Sequence, residues 1–198
     1  MMQNNFKIAI TGGIGSGKST AVNIIKDLGY PVFSCDQITA ELYKSQRILR
    51  GLKKLFPTAV KGFFRLCADK KAIASIIFND KEKYNALNDF LMPEILKKLF
   101  TDINAVNGVA FAEVPLLFER NLADKFDAVI VIMRNRTDRI KSVMARSNLT
   151  EKDVLERINA QFDYDTYKHN GELIVNNDGD IEQLKKQIIT AISSVINA

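Results

Sequence analysis

The stretch Ile10-Thr11-Gly12-Gly13-Ile14-Gly15-Ser16-Gly17-Lys18-Ser19-Thr20 gathers, at fixed spacing, the residue types that cradle a row of phosphates. Gly12 to Ser19 fits the pattern G-x-x-x-x-G-K-[ST]. Glycines let the main chain fold into a concave nest whose N–H groups converge. A helix opening near Lys18 adds its positive dipole end to the same point. In such a nest Lys18 bridges the β and γ phosphates of a nucleoside triphosphate, and the Ser19 hydroxyl ligates Mg²⁺. The bland alternative is a glycine-rich turn with a chance Lys-Ser pair. It leaves the context unexplained, because a strand-like run precedes the pattern and helical spacing follows it. The expected nucleotide contacts are therefore Gly13, Ile14, Gly15, Ser16, Gly17, Lys18, Ser19 and Thr20.

Phosphoryl transfer needs more than a loop. An acceptor hydroxyl must be oriented, and charge on the moving group must be met. Asp36 follows a short strand-like run, Pro31 to Ser34. In a sheet of this kind that strand ends near the loop, so the carboxylate can accept the hydroxyl proton. It can equally be the N-cap of a helix from Gln37. Arg146 ends a helical stretch at the start of an irregular one. There it closes over the γ phosphate or is a solvated helix end. Glu113, at a strand end, is the candidate to hold Mg²⁺ through water, with Glu119 in reserve; a solvated charge is the other reading. Asn135-Arg136-Thr137-Asp138 resembles the guanine reader N-K-x-D with Arg for Lys. No D-x-x-G accompanies it, so a strand-to-helix turn capped by Asp or Thr is expected.

The elements that must position these residues follow from periodicity. Phe6 to Thr11, Gly108 to Ala112 and Asp127 to Met133 are apolar runs typical of strands covered on both faces. Pro31 to Ser34 and Leu173 to Asn176 are weaker strands. Helices are expected from Lys18 to Leu28 (Ala21, Ile24, Ile25 and Leu28 on one side) and after Pro93 as a first-turn residue (Ile95, Leu99, Ile103, Val106). Thr150 to Asp153 forms a capping box. The last helix runs from Asp180, with Ile181, Leu184, Ile188, Ile192 and Val195 in a stripe. Alternating strands and helices predict an α/β fold with a parallel sheet and helices on both faces. The alternation lapses from about 37 to 106, a basic, helical insertion with no convincing strand, and again from about 146 to 165.

Composition closes off other classes. The chain has 198 residues, 46% hydrophobic and 26% charged, with 10 Gly and 4 Pro. It is neither collagen-like, low-complexity nor disordered. Its apolar runs fall far short of the ~20 residues of a membrane span, and no signal-peptide pattern opens it. Cys35 and Cys67 form no C-x-x-C, so neither zinc nor a disulfide is expected, and reduced thiols suggest the cytoplasm. His169 is the only histidine and no G-x-S-x-G is present, which argues against a Ser-His-Asp hydrolase. Net charge is +5, concentrated between residues 44 and 71. Lys44, Arg47, Arg50, Lys53, Lys54, Lys61, Arg65, Lys70 and Lys71 face one acid there, Asp69. Such a stretch attracts phosphates or is a solvated face. A nucleic-acid-linked ATPase would use it too, but Phe56, Phe63 and Phe64 are its only aromatics and make no stacking platform. They read as core or as a seat for an apolar arm.

Together these segments resemble the dephospho-coenzyme A kinase family. The loop matches along its length. Val32-Phe33-Ser34-Cys35-Asp36-Gln37-Ile38 is similar to the family's D-x-D-x-I segment, and Val114-Pro115-Leu116-Leu117-Phe118-Glu119 to its P-L-L-F-E motif. Arg146-Ser147-Asn148-Leu149-Thr150, with Arg157 and Gln161, resembles its lid, and Glu172 through Gly179 its closing pattern. The resemblance implies a P-loop NTPase three-layer sandwich in a single domain. Its core would be 6–36, 107–145 and 166–198, with a substrate-binding insertion at 37–106 and a lid at 146–165. It implies transfer of the ATP γ-phosphoryl group to the 3′-hydroxyl of dephospho-coenzyme A, the last step of coenzyme A synthesis. Asp36 would be the base, Arg146 the lid arginine, and Asn177 would lie near the adenine. ATP and Mg²⁺ are the implied cofactors, with no membrane or nucleic-acid partner, in a monomer or weak homo-oligomer. A kinase for nucleosides or shikimate is the near alternative. The departures are Ser34 for the first Asp, Ala40 for an Arg, Met92-Pro93 for H-P, and Ser142 for the arginine one turn before Arg146. Asp69-Lys70-Lys71-Ala72-Ile73 replaces a basic residue followed by Leu. Arg136 and Arg139 stand near enough to substitute for the missing lid arginine.

Overall fold

The chain divides into two compact units, one formed by Met1–Phe33 with Ile103–Ala198, the other by Ser34–Asp102. The computed structural model describes residues 5–147, 149–167 and 171–196. The opening residues 1–4, Asn148 of the lid motif and His169 lie outside them. In the first unit, β1 (Phe6–Thr11), α1 (Lys18–Asp27) and β2 (Val32–Ser34) come first. The second unit carries α2 (Cys35–Leu42), α3 (Gln46–Leu55), β3 (Val60–Lys61), β4 (Cys67–Ala68), α4 (Lys70–Asn79) and α5 (Lys81–Asn104). The first then resumes with β5 (Val109–Glu113), β6 (Ala128–Met133), α6 (Arg136–Ser147), α7 (Glu151–Asn159), β7 (Leu173–Asn176) and α8 (Ile181–Ile196).

The first unit is built on a five-stranded parallel sheet in the order β2-β5-β1-β6-β7. β1 lies at its centre, with Ile8 opposite Phe111 on one side and Ala128 on the other. Ile8, Ala9, Ile10 and Thr11 are all buried, which is why this strand reads as a continuous apolar run. Ile8, Ile10, Phe111, Ile130 and Ile132 pack with Ala21, Ile24 and Ile25 of α1 and with Leu184, Ile188 and Ile192 of α8. The chain leaves β1 toward β2 and later crosses to β6 on the other side. The strand order thus reverses at the carboxyl end of β1, where parallel sheets open a crevice for ligands. A second cluster joins Val143 of α6 to Val154 and Ile158 of α7, with Ile14 of the loop packed against it.

Several expectations need correction. Ile181 is 59% exposed and Leu28 is exposed as well, because each sits at a helix end where the apolar stripe runs past the core. α6 is capped by neither Asp138 nor Thr137 but by Asn135, whose Oδ1 accepts from the Asp138 amide at 2.9 Å. Pro93 is not in a first turn: it lies inside α5. Leu87, Leu91, Ile95, Leu99 and Ile103, four residues apart, are buried on both sides of it, and this packing holds the helix together across the missing donor. The helical unit also contains a strand pair, β3 with β4, Val60 opposite Ala68.

That unit has its own core, in which Ile48, Leu49, Leu52, Phe56, Val60 and Leu66 are buried. Phe56 meets the core reading. Phe63 and Phe64 do not: they are 91% and 97% exposed in the turn between β3 and β4, ring to ring at 5.0 Å. Glu94 takes the Arg47 guanidinium with both oxygens, so one cation of the basic stretch is neutralised within the unit.

The Thr150 capping box is present, its hydroxyl accepting from the Asp153 amide and the Asp153 carboxylate accepting from the Thr150 amide. Replacing Thr150 by Ala is expected to cost ~1 kcal/mol locally. Hydrogen exchange should show faster amides in 151–159 and unchanged protection in β1 and β6.

Candidate active site

The loop between β1 and α1 is shaped by its main chain. α1 opens at Gly17, in the left-handed region (φ 92) and with no side-chain cap. The first intrahelical bond runs from the Ala21 amide to the Gly17 carbonyl, so the first turn of α1, at the positive end of its dipole, begins at the loop. Gly17 is required twice over. Its φ disfavours any side chain, and a Cβ there would run into the Asn177 amide.

Side chains from distant segments brace the loop. Asn177 Nδ2 donates to the Ser16 carbonyl at 2.8 Å. The Ile14 amide donates to Gln161 Oε1 at 2.7 Å. The hydroxyls of Thr11 and Tyr164 lie 3.1 Å apart. Arg139 Nε donates to the Ile14 carbonyl at 3.1 Å, and its Nη1 to Asp165 at 3.0 Å. Lys18 Nζ is folded onto the loop, donating to the carbonyls of Gly12 (2.7 Å) and Gly13 (3.0 Å). The Ser19 side chain is exposed beside it, and Ser16 is buried.

The segment Val114–Glu119 has a role that its composition did not reveal. Glu119 Oε1 accepts from the Phe162 amide at 3.0 Å. The Phe118 ring meets Phe162 at 4.8 Å, Tyr167 at 5.1 Å and Tyr164 at 5.9 Å. The motif is therefore the seat on which 161–167 rests. Glu113 stands apart from it, half-buried at the end of β5 and opposite Ile10.

A family model for dephospho-CoA kinase matches residues 6–183. The chain belongs to the dephospho-CoA kinase family. A dephospho-CoA kinase from Thermus thermophilus is 32% identical over 189 residues, which is 95% of this chain and 91% of that one. The enzyme of the same name from Listeria monocytogenes serotype 4b is 30% identical over 197 residues, 96% of each. A crystal structure from Thermus thermophilus superposes with a TM-score of 0.83 at 32% identity, covering 96% of each chain. Membership in this family does not favour the nucleoside, shikimate and nucleic-acid readings.

Of the residues that the dephospho-CoA kinase resemblance singled out, the first unit gathers Gly13 to Thr20 and Asn177 around one loop. Arg146 is exposed in the last turn of α6. Asp36 belongs to the second unit. It is not a helix cap: Ser34 holds the N-cap position of α2 and Asp36 is exposed in the first turn. Ser34, which replaces a family aspartate, is thus a residue type favoured at helix starts. Tyr164 and Asp165 carried no sequence signal, and Arg139 only its nearness to the position of the missing lid arginine.

Burial raises the Tyr164 phenol from 10.0 to about 12. Below pH 10 the phenol is neutral folded and unfolded, and the stability it confers is complete. Above pH 10 the unfolded chain ionises first, so stability falls until the pH passes about 12. Wild type is expected to lose ~2–3 kcal/mol more than Tyr164→Phe across that window, measured from urea midpoints at successive pH values.

Proposed function

We propose that this chain phosphorylates the 3′-hydroxyl of dephospho-CoA with ATP, as the last step of coenzyme A synthesis. The observation that carries the reading is the braced loop at the carboxyl end of β1, with the first turn of α1 and its main-chain amides opening at that same loop. Those amides and Lys18 hold the β and γ phosphates, Lys18 turning from the loop carbonyls to the phosphate oxygens. Asn177, already on the loop, borders the adenine side. The acceptor oxygen attacks the γ phosphorus and the β–γ bridging bond breaks, releasing ADP. Asp36 takes the hydroxyl proton, and Arg146 meets charge on the transferring group. The cations of 44–71 hold the acceptor's diphosphate, and Phe63 and Phe64 seat its pantetheine arm.

The donor set fits Mg²⁺, which takes hard oxygens and keeps several waters. Ser19 offers an exposed hydroxyl at the start of α1 and Glu113 a carboxylate beyond it. Among the described residues no group of three His, Cys, Asp or Glu could cage a metal, so the remaining ligands would be phosphate and water. Bound there, Mg²⁺ would neutralise charge on the β and γ oxygens. Cys35 and Cys67 are not joined in a disulfide, which suits a reducing cytoplasm, and no described helix is long and apolar enough to cross a membrane. The working form is a monomer or weak homo-oligomer.

ADP release should depend on dephospho-CoA and not on nucleosides or shikimate; equal release with every acceptor would defeat the reading. Asp36→Asn is expected to lower kcat by ~10²–10⁴ with ADP affinity unchanged. The pair Phe63→Ala, Phe64→Ala should raise KM for dephospho-CoA alone and leave Tm where it was, because neither ring is buried.

A further inference from the structure

Arg139 has no part in the proposed transfer step, yet it is buried against the loop and bound at two points. It is only 3% exposed. It binds the Ile14 carbonyl and Asp165 at once. A Cβ on Gly13 would lie 2.5 Å from its Nη2, so the loop has no side chain where the guanidinium lies. Both main-chain groups of Ile14 are thereby fixed from outside the loop, the amide by Gln161 and the carbonyl by Arg139. Gln161 and Asp165 belong to one short segment after α7. That segment is fastened in turn by Tyr164 to Thr11 and by the Phe162 amide to Glu119.

We propose that Arg139 is a positioning residue for the nucleotide. Through Ile14 it holds the phosphate loop in its receiving shape, and through Asp165 it makes that shape depend on the seating of residues 161–165. It touches no phosphate itself. A buried guanidinium is retained only where fixed partners meet it, and here both partners belong to the loop or to its brace. The inference rests on the ATP-binding part of the proposed function and not on the identity of the acceptor.

The test compares Arg139→Met, Arg139→Lys and Asp165→Asn in the full chain. ADP affinity is measured by titration calorimetry, and KM is measured separately for ATP and dephospho-CoA. Small displacements of a positioning group can cost ~10²-fold. Arg139→Met is expected to weaken ADP binding and kcat/KM for ATP by up to that factor, with KM for dephospho-CoA unchanged. Arg139→Lys should fall between, since one ammonium cannot replace a fork that spans two partners. Asp165→Asn should weaken ADP binding less than Arg139→Met does. Calorimetric stoichiometry and thermal melts give the folded fraction. An Arg139→Met protein that melts earlier but binds ADP with wild-type affinity would reduce Arg139 to a core residue and overturn the proposal. Wild-type affinity in Asp165→Asn would overturn the dependence on 161–165. If wild type binds ADP but does not phosphorylate dephospho-CoA, the acceptor assignment fails while the calorimetry still decides the role of Arg139.

Discussion

The structure depends on holding the phosphate loop in its concave shape at the start of α1. A helix start is not self-sufficient, because the amides of its first turn find no intrahelical acceptor. α1 also forgoes the usual remedy, a Ser, Thr, Asp or Asn at its N-cap, because Gly17 stands there. The hollow must therefore be held open from outside. Arg139 of α6, Gln161 and Tyr164 of the segment after α7, and Asn177 after β7 do this, each reaching the loop or its entry strand from a distant stretch of the chain.

The sheet order explains how such remote residues meet. β6 lies beside β1 in space and β7 beyond β6, although more than a hundred residues separate both from β1 in the chain. The Asn177 amide donates to the Met133 carbonyl, which fixes its side chain within reach of Ser16. Asp178 accepts from the Asn135 amide at 2.7 Å and so ties the start of α6 to the same strand end. The loop is thus one part of a layer along the carboxyl edge of β1, β6 and β7.

What the sequence disclosed followed from the range of the interactions concerned. The phosphate loop is local, and each of its residues is needed at a fixed offset from the next, so spacing alone revealed it. The strands of the first unit were readable because burial on both faces leaves an uninterrupted apolar run. β3 and β4 were not, since two residues show no period. Pro93 misled because proline usually marks a helix start, and only the apolar stripe on both sides of it shows that packing prevails here. Asp36 could be read as the cap of a helix from Gln37 because one residue of offset decides the matter, and α2 starts at Cys35 with Ser34 as its N-cap. Phe63 and Phe64 sit in a turn, where periodicity says nothing about exposure. Arg139 was the least legible of all. An arginine in a polar helix reads as solvated, and its burial follows from contacts made across 125 residues to Ile14 and 26 to Asp165.

The position of that arginine on α6 also bears on how this chain departs from its family. The family pattern sets an arginine one turn before Arg146; here Ser142 stands there, and an arginine is found at 139 instead. Three residues are ~4.5 Å along the axis and under one full turn, so the two positions lie on nearly the same helix face. Long side chains on a helix lean toward its N-terminus, which carries an arginine at 139 further from the exposed end at Arg146 and toward the loop beneath Val143. Such a shift changes what the charge does more than how much charge is present. At 142 it would stand one turn from the exposed Arg146; at 139 it is enclosed and committed to the Ile14 carbonyl and Asp165. The loop here is thus held by a buried guanidinium, while Arg146 stays exposed in the last turn of α6.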